Sequence, residues 1–328
     1  MAASDKVNFS RISYVIYEHP DLTKFLAFAD DFGFESTGVT DEDGNLFLRG
    51  YGPDPYVYVA RQAPAGQAKR FLGAGFTAQT KEDFERACKL ENAQLKDISK
   101  RPGGGKMVSV PDINGYEIQI VYDQKDRVIP DRGLSNVVSG QPNVNGAITK
   151  VRKGLFNRLD SGPAKIHKLG HFGYMTDNYT KTCAWYSSHF NFKPTDIVHV
   201  PGDPSKEIMS FFHLDLGAEY SDHHCLLVAA HRDGNGKGTT VHHSSFEVED
   251  IDTQMMGHKW LQDKGYELKW GVGRHIMGSQ VFDYWYDSAG FIVEHYADGD
   301  LVNQDTPTSR LAGAEAAIWG PPIPAKWH

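Results

Sequence analysis

Histidines are concentrated in the second half of this chain. Of the 15 histidines, only His19 precedes residue 150, and the other 14 lie between His167 and His328. Histidine is the commonest metal ligand and the usual acid or base near neutral pH. We therefore expect the chemistry of the protein to lie in its second half.

Two of these histidines and one glutamate have the types and the setting of a metal site. His171, in LGHFGYMTDN, and His243, in VHHSSFEVED, occupy the same place in two similar strand-and-turn segments. Glu294 lies in the apolar segment GFIVEHYADGD, which predicts a buried carboxylate that needs a partner. Two imidazoles and one carboxylate form the facial triad of non-haem Fe(II) oxygenases, which leaves coordination positions open for substrate and O₂.

The elements that must position these residues form an internal repeat. Strand, turn and helix patterns begin near residues 11, 73, 169 and 242, and strand-and-turn segments follow each of them. The first helix carries an apolar stripe at Phe25, Phe28, Ala29 and Phe32, and Gly33 ends it. The pattern predicts an α+β fold in which four βαβββ modules pair into two domains.

Composition sets the boundaries of these domains. We predict an N-terminal two-module domain without metal over residues 1–130, a linker rich in Gly, Asn, Ser and Pro over 131–163, and a catalytic two-module domain over 164–300. Residues 301–328 are predicted to form an extended tail. Its apolar, stiff stretch 318–322 suits either a lid across the pocket mouth or a packing strap.

The remaining composition excludes several classes of partner. The net charge of −8 argues against a general polyanion binder such as a nucleic-acid protein. No run approaches the ~20 apolar residues that span a bilayer, and MAASDKVNFS lacks the apolar core of a secretory signal. Cys88, Cys183 and Cys225 form no CxxC motif and suit reduced packing residues. We expect a cytoplasmic homo-oligomer with no nucleic-acid or membrane partner.

The segments that contain His171, His243 and Glu294 resemble the type I extradiol ring-cleaving dioxygenases of the vicinal oxygen chelate superfamily. The resemblance covers almost the whole chain and is strongest over residues 165–300, in the three segments quoted above and in DHHCLLVAAH and GVGRHIMGSQVFDYWYDSAG. It implies that each domain is an incomplete, barrel-like mixed sheet. It also implies that His171, His243 and Glu294 bind the metal.

The resemblance assigns further residues of the site. It implies that His224, in DHHCLLVA, is the acid or base, and that His275 and Tyr284 are the other polar residues of the pocket. In the N-terminal half, Tyr14 stands where His171 would be and Gln119 where Glu294 would be. Neither residue suits Fe(II), so this half is expected to be a scaffold without metal.

The implied reaction is extradiol cleavage of a catechol-type aromatic by O₂. Both oxygen atoms enter the product, a muconic semialdehyde-type compound, as in the catabolism of aromatic compounds. The cofactor is expected to be Fe(II), with Mn(II) as the alternative, because the same triad suits both. The second half contains few arginines that could bind a carboxylate, which favours a neutral, substituted catechol.

Strand periodicity predicts the residues that surround the substrate. Side chains two residues from a ligand share its face of the strand. The substrate pocket is therefore expected to contain Gly173, Ser245, Ile292 and Tyr296.

Two alternative functions fit the same fold. Glyoxalase-like metal lyases and isomerases of the superfamily close the site with a fourth protein ligand on the last strand of the third unit, but the stretch 225–230 offers none. Non-catalytic binding proteins of the superfamily usually lack the triad, which is present here.

Overall fold

The computed structural model describes residues 5–129, 144–154, 156, 161–231, 238–325 and 327. Much of the linker predicted over 131–163 lies outside these residues, so its extent and the domain boundaries stay predictions. The homo-oligomer also stays a prediction. No described helix has the length and apolar character that crossing a membrane requires.

Two βαβββ modules make up the N-terminal half. The first contains β1 (Phe9–His19), α1 (Leu22–Phe32), β2 (Glu35–Thr40), β3 (Leu46–Arg49) and β4 (Tyr58–Gln62). The second contains β5 (Arg70–Ala78), α2 (Lys81–Ala87), β6 (Gln94–Asp97), β7 (Lys106–Pro111) and β8 (Glu117–Tyr122). Together they form an eight-stranded mixed sheet in the order β2-β3-β4-β1-β5-β8-β7-β6.

Two further modules repeat this plan in the C-terminal half. The third contains β9 (Ile166–Thr176), α3 (Tyr179–His189), β10 (Phe192–Val200), β11 (Asp203–Leu214), the two-residue β12 (Ser221–Asp222) and β13 (Leu226–Ala230). The fourth contains β14 (Thr239–Val248), α4 (Ile251–Asp263), β15 (Leu268–His275), β16 (Val281–Tyr286) and β17 (Ile292–Ala297). The predicted α+β fold of four βαβββ modules is thereby confirmed.

Local sequence explains why the modules begin and end where they do. Phe25, Phe28, Ala29 and Phe32 are the buried residues of α1, as the apolar stripe predicts. Gly33 ends the helix with φ of 103°, a left-handed conformation that glycine adopts without steric cost. The four modules start at residues 9, 70, 166 and 239, close to the positions that the repeat predicts.

The C-terminal tail, residues 301–328, adds strands to both edges of the second sheet. It contains β18 (Leu301–Val302), β19 (Ser309–Ala312) and β20 (Ala317–Trp319). β19 pairs with β10 and β20 pairs with β15, which gives the order β19-β10-β11-β13-β9-β14-β17-β16-β15-β20. The stretch 318–322, predicted to be either a lid or a packing strap, therefore begins in an edge strand.

The two sheets share one hydrophobic core. Phe246 of β14 is fully buried, and its ring makes edge contacts with Phe32 and Phe34 of the N-terminal half. The hydroxyls of Tyr17 and Ser244 are hydrogen-bonded across the same boundary, at 2.6 Å. Because one apolar cluster contains residues of both halves, we expect the halves to unfold together.

Phe246→Ala should therefore destabilise the whole described fold by about 3–5 kcal/mol, the usual result of truncating a buried phenylalanine. All six tryptophans follow residue 184, so tryptophan fluorescence reports on the C-terminal half while far-ultraviolet circular dichroism reports on both. Urea transitions followed by the two methods should coincide in the parent and in the variant. Leu95→Ala, at a largely exposed side chain, is the control. Two separate transitions in the parent would contradict a shared core.

Candidate metal centre

The three predicted ligands lie on three neighbouring strands at the centre of the second sheet. β9 is antiparallel to β14, which is parallel to β17. Ser245 lies opposite both His171 and Glu294, and His243 is two residues before Ser245 on β14. Because alternate side chains of a strand share a face, this register directs His171, His243 and Glu294 to the same face.

The structure brings these side chains into contact. One ligand atom from each residue lies within 4.8 Å of the others, and the three residues form the one such group found among the described residues. The Nε2 atoms of His171 and His243 are 2.8 Å apart. The Oε2 atom of Glu294 lies 3.3 Å from the first and 3.4 Å from the second.

The chemistry of this donor set fits a divalent metal ion. All three side chains are buried, and Glu294 is completely so. Neither carboxylate oxygen of Glu294 has a hydrogen-bond partner among the described residues, which is costly for a buried carboxylate. Two imidazole nitrogens and this carboxylate converge on one point, as in a site with two histidines and one carboxylate.

Protonation states support the same conclusion. Burial lowers the pKa of His171 to about 4, so its ring is neutral near pH 7 and keeps a lone pair for a ligand bond. Burial would raise the pKa of Glu294, but the rings of His171 and His243 hold this pKa below its usual value. The carboxylate is therefore charged, which a cation requires of its ligand.

Three polar residues that the resemblance assigns to the site lie beside the triad. The ring of His224 is 4.0 Å from the ring of His171, and burial lowers the pKa of His224. The Nε2 atom of His275 is 2.9 Å from the hydroxyl of Tyr284, whose ring lies 5.3 Å from that of His243. The structure thus places all six predicted residues together, and their chemical roles stay predictions.

The structure also shows polar partners of His224 that the sequence does not reveal. The Nδ1 atoms of His224 and His223 are 3.1 Å apart, and the Nε2 atom of His223 lies 2.9 Å from a carboxylate oxygen of Asp196. The hydroxyl of Thr195 donates to the backbone oxygen of His223, at 2.7 Å. Asp196 belongs to β10, and no spacing motif in the sequence links it to His223.

A cavity of about 1190 Å³ opens beside the triad. His171, His243, His224, His275 and Tyr284 all line it. Most of its other described lining residues are apolar, and they come from both halves of the chain. The metal centre is therefore open on one side to a space that could hold a ligand.

The structure places one of the four residues predicted for the substrate pocket in the lining of the cavity. Ile292 lines the cavity, whereas Gly173, Ser245 and Tyr296 do not. A Cβ atom on Gly173 would lie 3.0 Å from the Cβ atom of Leu227, so the side chain of Leu227 already occupies the space beside this glycine. Close packing of neighbouring strands, rather than room for a ligand, explains why residue 173 is a glycine.

Ser245 and Tyr296 lie behind the ligands instead of beside the substrate space. Ser245 is fully buried between His171 and Glu294 on the adjacent strands. Tyr296 is also buried, and a Cβ atom on Gly170 would meet its ring at 2.3 Å. Both residues share a strand face with a ligand, but both are buried and neither lines the cavity.

The tail reaches the cavity through residues beyond the predicted stretch. Ile323, Pro324, Ala325 and Trp327 line the cavity. The ring of Trp327 is stacked on that of His242, with 4.7 Å between the ring centroids. The tail thus contributes both an edge strand, β20, and part of the cavity lining.

The N-terminal half has the same register but different side chains. Gly75 lies opposite both Tyr14 and Gln119, as Ser245 lies opposite His171 and Glu294. The hydroxyl of Tyr14 donates a hydrogen bond to the amide oxygen of Gln119, at 2.7 Å. A neutral hydrogen bond therefore stands where the C-terminal half has its triad, and the absence of metal from this half stays a prediction.

Comparison with known proteins agrees with this architecture. Residues 168–294 match the family model of the Glyoxalase/Bleomycin resistance protein/Dioxygenase superfamily. Over 125 residues the chain is 32% identical to metapyrocatechase 2 of Cupriavidus necator. The third and fourth modules, which contain the matched residues 168–294, are therefore similar to this superfamily. The match with metapyrocatechase 2 covers 37% of each chain, so it spans well under half the length of that relative.

Solved structures of the superfamily share the fold over nearly the whole chain. Homoprotocatechuate 2,3-dioxygenase of Arthrobacter globiformis has a TM-score of 0.76 at 15% identity, and the superposition covers 99% of this chain and 92% of the other. The Mn(II)-bound glyoxalase of Novosphingobium aromaticivorans has a TM-score of 0.74 at 19% identity, with 98% and 95% covered. The resemblance to the vicinal oxygen chelate superfamily is confirmed.

Glu294→Gln should lower the amount of bound divalent metal strongly while the fold persists, because it removes the charge of the ligand and keeps its shape. His171→Ala and His243→Ala should act in the same way. Elemental analysis of purified protein and the rise of Tm on metal addition are the measurements, since a ligand that binds only the folded state raises stability. Gln119→Glu in the N-terminal half is the control and should bind no metal there. Full metal content in any triad variant would show that the substituted residue is not a metal ligand.

Proposed function

We propose that this protein is an extradiol dioxygenase that opens the ring of a catechol-type aromatic with O₂. The observation that carries the proposal is the buried triad, which is open on one side to an apolar cavity and flanked there by His224, His275 and Tyr284. The product would be of the muconic semialdehyde type. The names of metapyrocatechase 2 and homoprotocatechuate 2,3-dioxygenase support this chemistry.

His171, His243 and Glu294 would hold the metal, Fe(II) or Mn(II). When bound, such an ion would lower the pKa of a catechol hydroxyl and hold the catechol close to O₂. Strand β13, beside the triad, directs Leu227 and Ala229 into the cavity, and neither can bind a metal. This disfavours a glyoxalase-like site closed by a fourth ligand from that strand, and it leaves room for two reactants.

His275 and Tyr284 would orient the catechol oxygens. The Nδ1 atom of His275 lies 3.2 Å from the backbone oxygen of Ala316, so it carries the proton and donates to that carbonyl. The Nε2 atom of His275 is then an acceptor, and the hydroxyl of Tyr284 donates to it, at 2.9 Å. The oxygen of Tyr284 therefore faces the cavity as an acceptor for a substrate hydroxyl.

His224 would transfer protons to and from the substrate oxygens. Burial lowers its pKa, so the ring is neutral and can accept a proton from a hydroxyl in the cavity. Its place beside His171 puts this base next to the metal ligands, where the catechol oxygens would lie.

The test is oxygen uptake by protein that has been loaded anaerobically with Fe(II), or separately with Mn(II), and then mixed with catechols. Uptake of one O₂ for each catechol, together with the visible absorption of a ring-opened semialdehyde, is expected. His171→Ala is the control for metal-free oxidation and should show neither. Loss of catechol without O₂ uptake, or no reaction with any catechol, would overturn the proposal.

His224→Phe should slow ring opening by about 10²–10⁴-fold, the usual contribution of a general acid or base. Bound metal and the affinity for catechol under anaerobic conditions should stay close to those of the parent, because His224 is not a ligand. Single-turnover kinetics and metal analysis check this expectation. Equal rates in the variant and the parent across the pH profile would assign the proton transfers to another group.

The hydrogen bonds behind His224 fix which of its nitrogens faces the substrate. Asp196 accepts a hydrogen bond from the Nε2–H group of His223, at 2.9 Å, so Nδ1 of His223 is left as an acceptor. Nδ1 of His224, 3.1 Å away, then donates to it. The Nε2 atom of His224 is consequently unprotonated, as a base must be. Asp196 and His223 are positioning residues in this scheme.

Asp196→Asn tests this scheme because it keeps the shape of the side chain and can reverse the direction of the hydrogen bonds that run through His223 to His224. Its amide would donate to His223, which would then donate to His224, so that Nε2 of His224 carries the proton. We expect kcat to fall by at least about 10²-fold, with bound metal and the anaerobic Kd for catechol unchanged. Asp215→Asn, on the loop after β11, is the matched control. Parallel losses of kcat and metal would indicate a purely structural role for Asp196.

A further inference from the structure

The cavity beside the triad is larger than a single catechol ring requires. Its volume is about 1190 Å³, whereas pockets that hold drug-sized ligands are roughly 300–1,000 Å³. It extends from the triad to Phe71 and Tyr116 of the N-terminal half and to the tail at Trp327. We therefore expect the space beyond the metal centre to hold a part of the ligand other than the catechol ring.

Two rows of side chains form the wall that leads away from the metal centre. The inner row contains Phe211 and Leu227, which lie level with Gly173 and His243 on the next two strands. The outer row contains Met209, Ala229 and Met175. Two residues along a strand separate the rows, which corresponds to roughly 7 Å. Apart from His243 and Thr240 at their β14 ends, both rows are apolar, so the wall suits an apolar group that leaves the metal centre along it.

Ala229 is the small residue of the outer row, and it has a methionine on each side. Met209 lies opposite it on β11 and Met175 opposite it on β9. Unbranched methionine side chains adapt to ligands of irregular shape. A small residue between two adaptable ones leaves a recess in this part of the wall.

The charged residues of the cavity do not offer a site for an anionic substituent. Lys69 donates to the backbone oxygen of Gly290 and lies over the ring of Phe291, 4.5 Å from its centroid. Arg70 donates to the carboxylate of Glu18, at 2.8 Å. The described lining contains no carboxylate, so it offers no partner for a cationic substituent either. Both long cations are thus engaged at the rim, and an uncharged group suits the interior.

We propose that the site takes a catechol with a large, uncharged apolar substituent, such as a second aromatic ring, and that Ala229 makes the room for it. The catechol part of this inference rests on the proposed function. The apolar character of the substituent is inferred only from the two rows of wall residues, so it can be tested separately from the proposed function.

Binding of analogues that cannot react tests the substituent. Dimethoxybenzene and dimethoxybiphenyl have no phenolic proton, and calorimetry on the anaerobic holoenzyme measures their affinities. Dimethoxybiphenyl should bind about 10- to 100-fold more tightly, as expected from burying one more phenyl ring. Equal affinities, or tighter binding of dimethoxyphenylacetate with its carboxylate, would overturn the proposal.

Ala229→Phe fills the recess and tests the residue. It should remove most of the preference for dimethoxybiphenyl and lower the ratio of kcat/KM for phenylcatechol to that for catechol by about 10²-fold. Ala218→Phe, the same change at an exposed position, should keep the parent's preference. An unchanged preference in Ala229→Phe would overturn the role of Ala229.

The same measurements separate the two proposals. If no catechol is opened but dimethoxybiphenyl binds preferentially and Ala229→Phe removes that preference, the proposed function fails and the apolar site stands. If catechol and phenylcatechol are opened with equal kcat/KM, the function stands and the inference about the substituent fails.

Discussion

The 2.8 Å separation between the Nε2 atoms of His171 and His243 is the constraint on which the site depends. Two imidazole nitrogens this close, with a buried carboxylate beside them, need a shared cation or a shared proton. The arrangement exists because β9, β14 and β17 are neighbours in fixed register. A slip of one residue would turn every side chain of a strand to the other face, so the surrounding sheet preserves the site by preserving the register.

The N-terminal half shows what the same register does without that constraint. Tyr14 and Gln119 meet at the corresponding positions and satisfy each other with one neutral hydrogen bond. Nothing in that pair calls for a cation, so this half is complete as a folded scaffold. Because Phe246 packs in the core that both halves share, the N-terminal half also stabilises the half that carries the triad. The duplicated fold thus presents the same register twice, once with a neutral hydrogen bond and once with the triad.

Sequence reasoning succeeded where local pattern decides the structure. The apolar stripe of α1, the four module starts and the matching places of His171 and His243 all follow from periodicity and repetition. It could not reveal the packing of Gly173, because the side chain that fills the adjacent space, Leu227, comes from a strand more than fifty residues later in the chain. It also missed Asp196, whose contact with His223 depends on how β10 lies against the loop before β13. Contacts between distant strands have no local signature.

The tail has a consequence for association between molecules. Only residues 313–316 separate β19 from β20, yet these strands lie at opposite edges of the ten-stranded sheet. Such a link spans roughly 18 Å at most, so the sheet must curve until its two edges almost meet. Unpaired edge strands are templates for pairing with other chains. A protein that lost the tail to a protease would expose β10 and β15 together, and we expect aggregation through these edges to be its first defect.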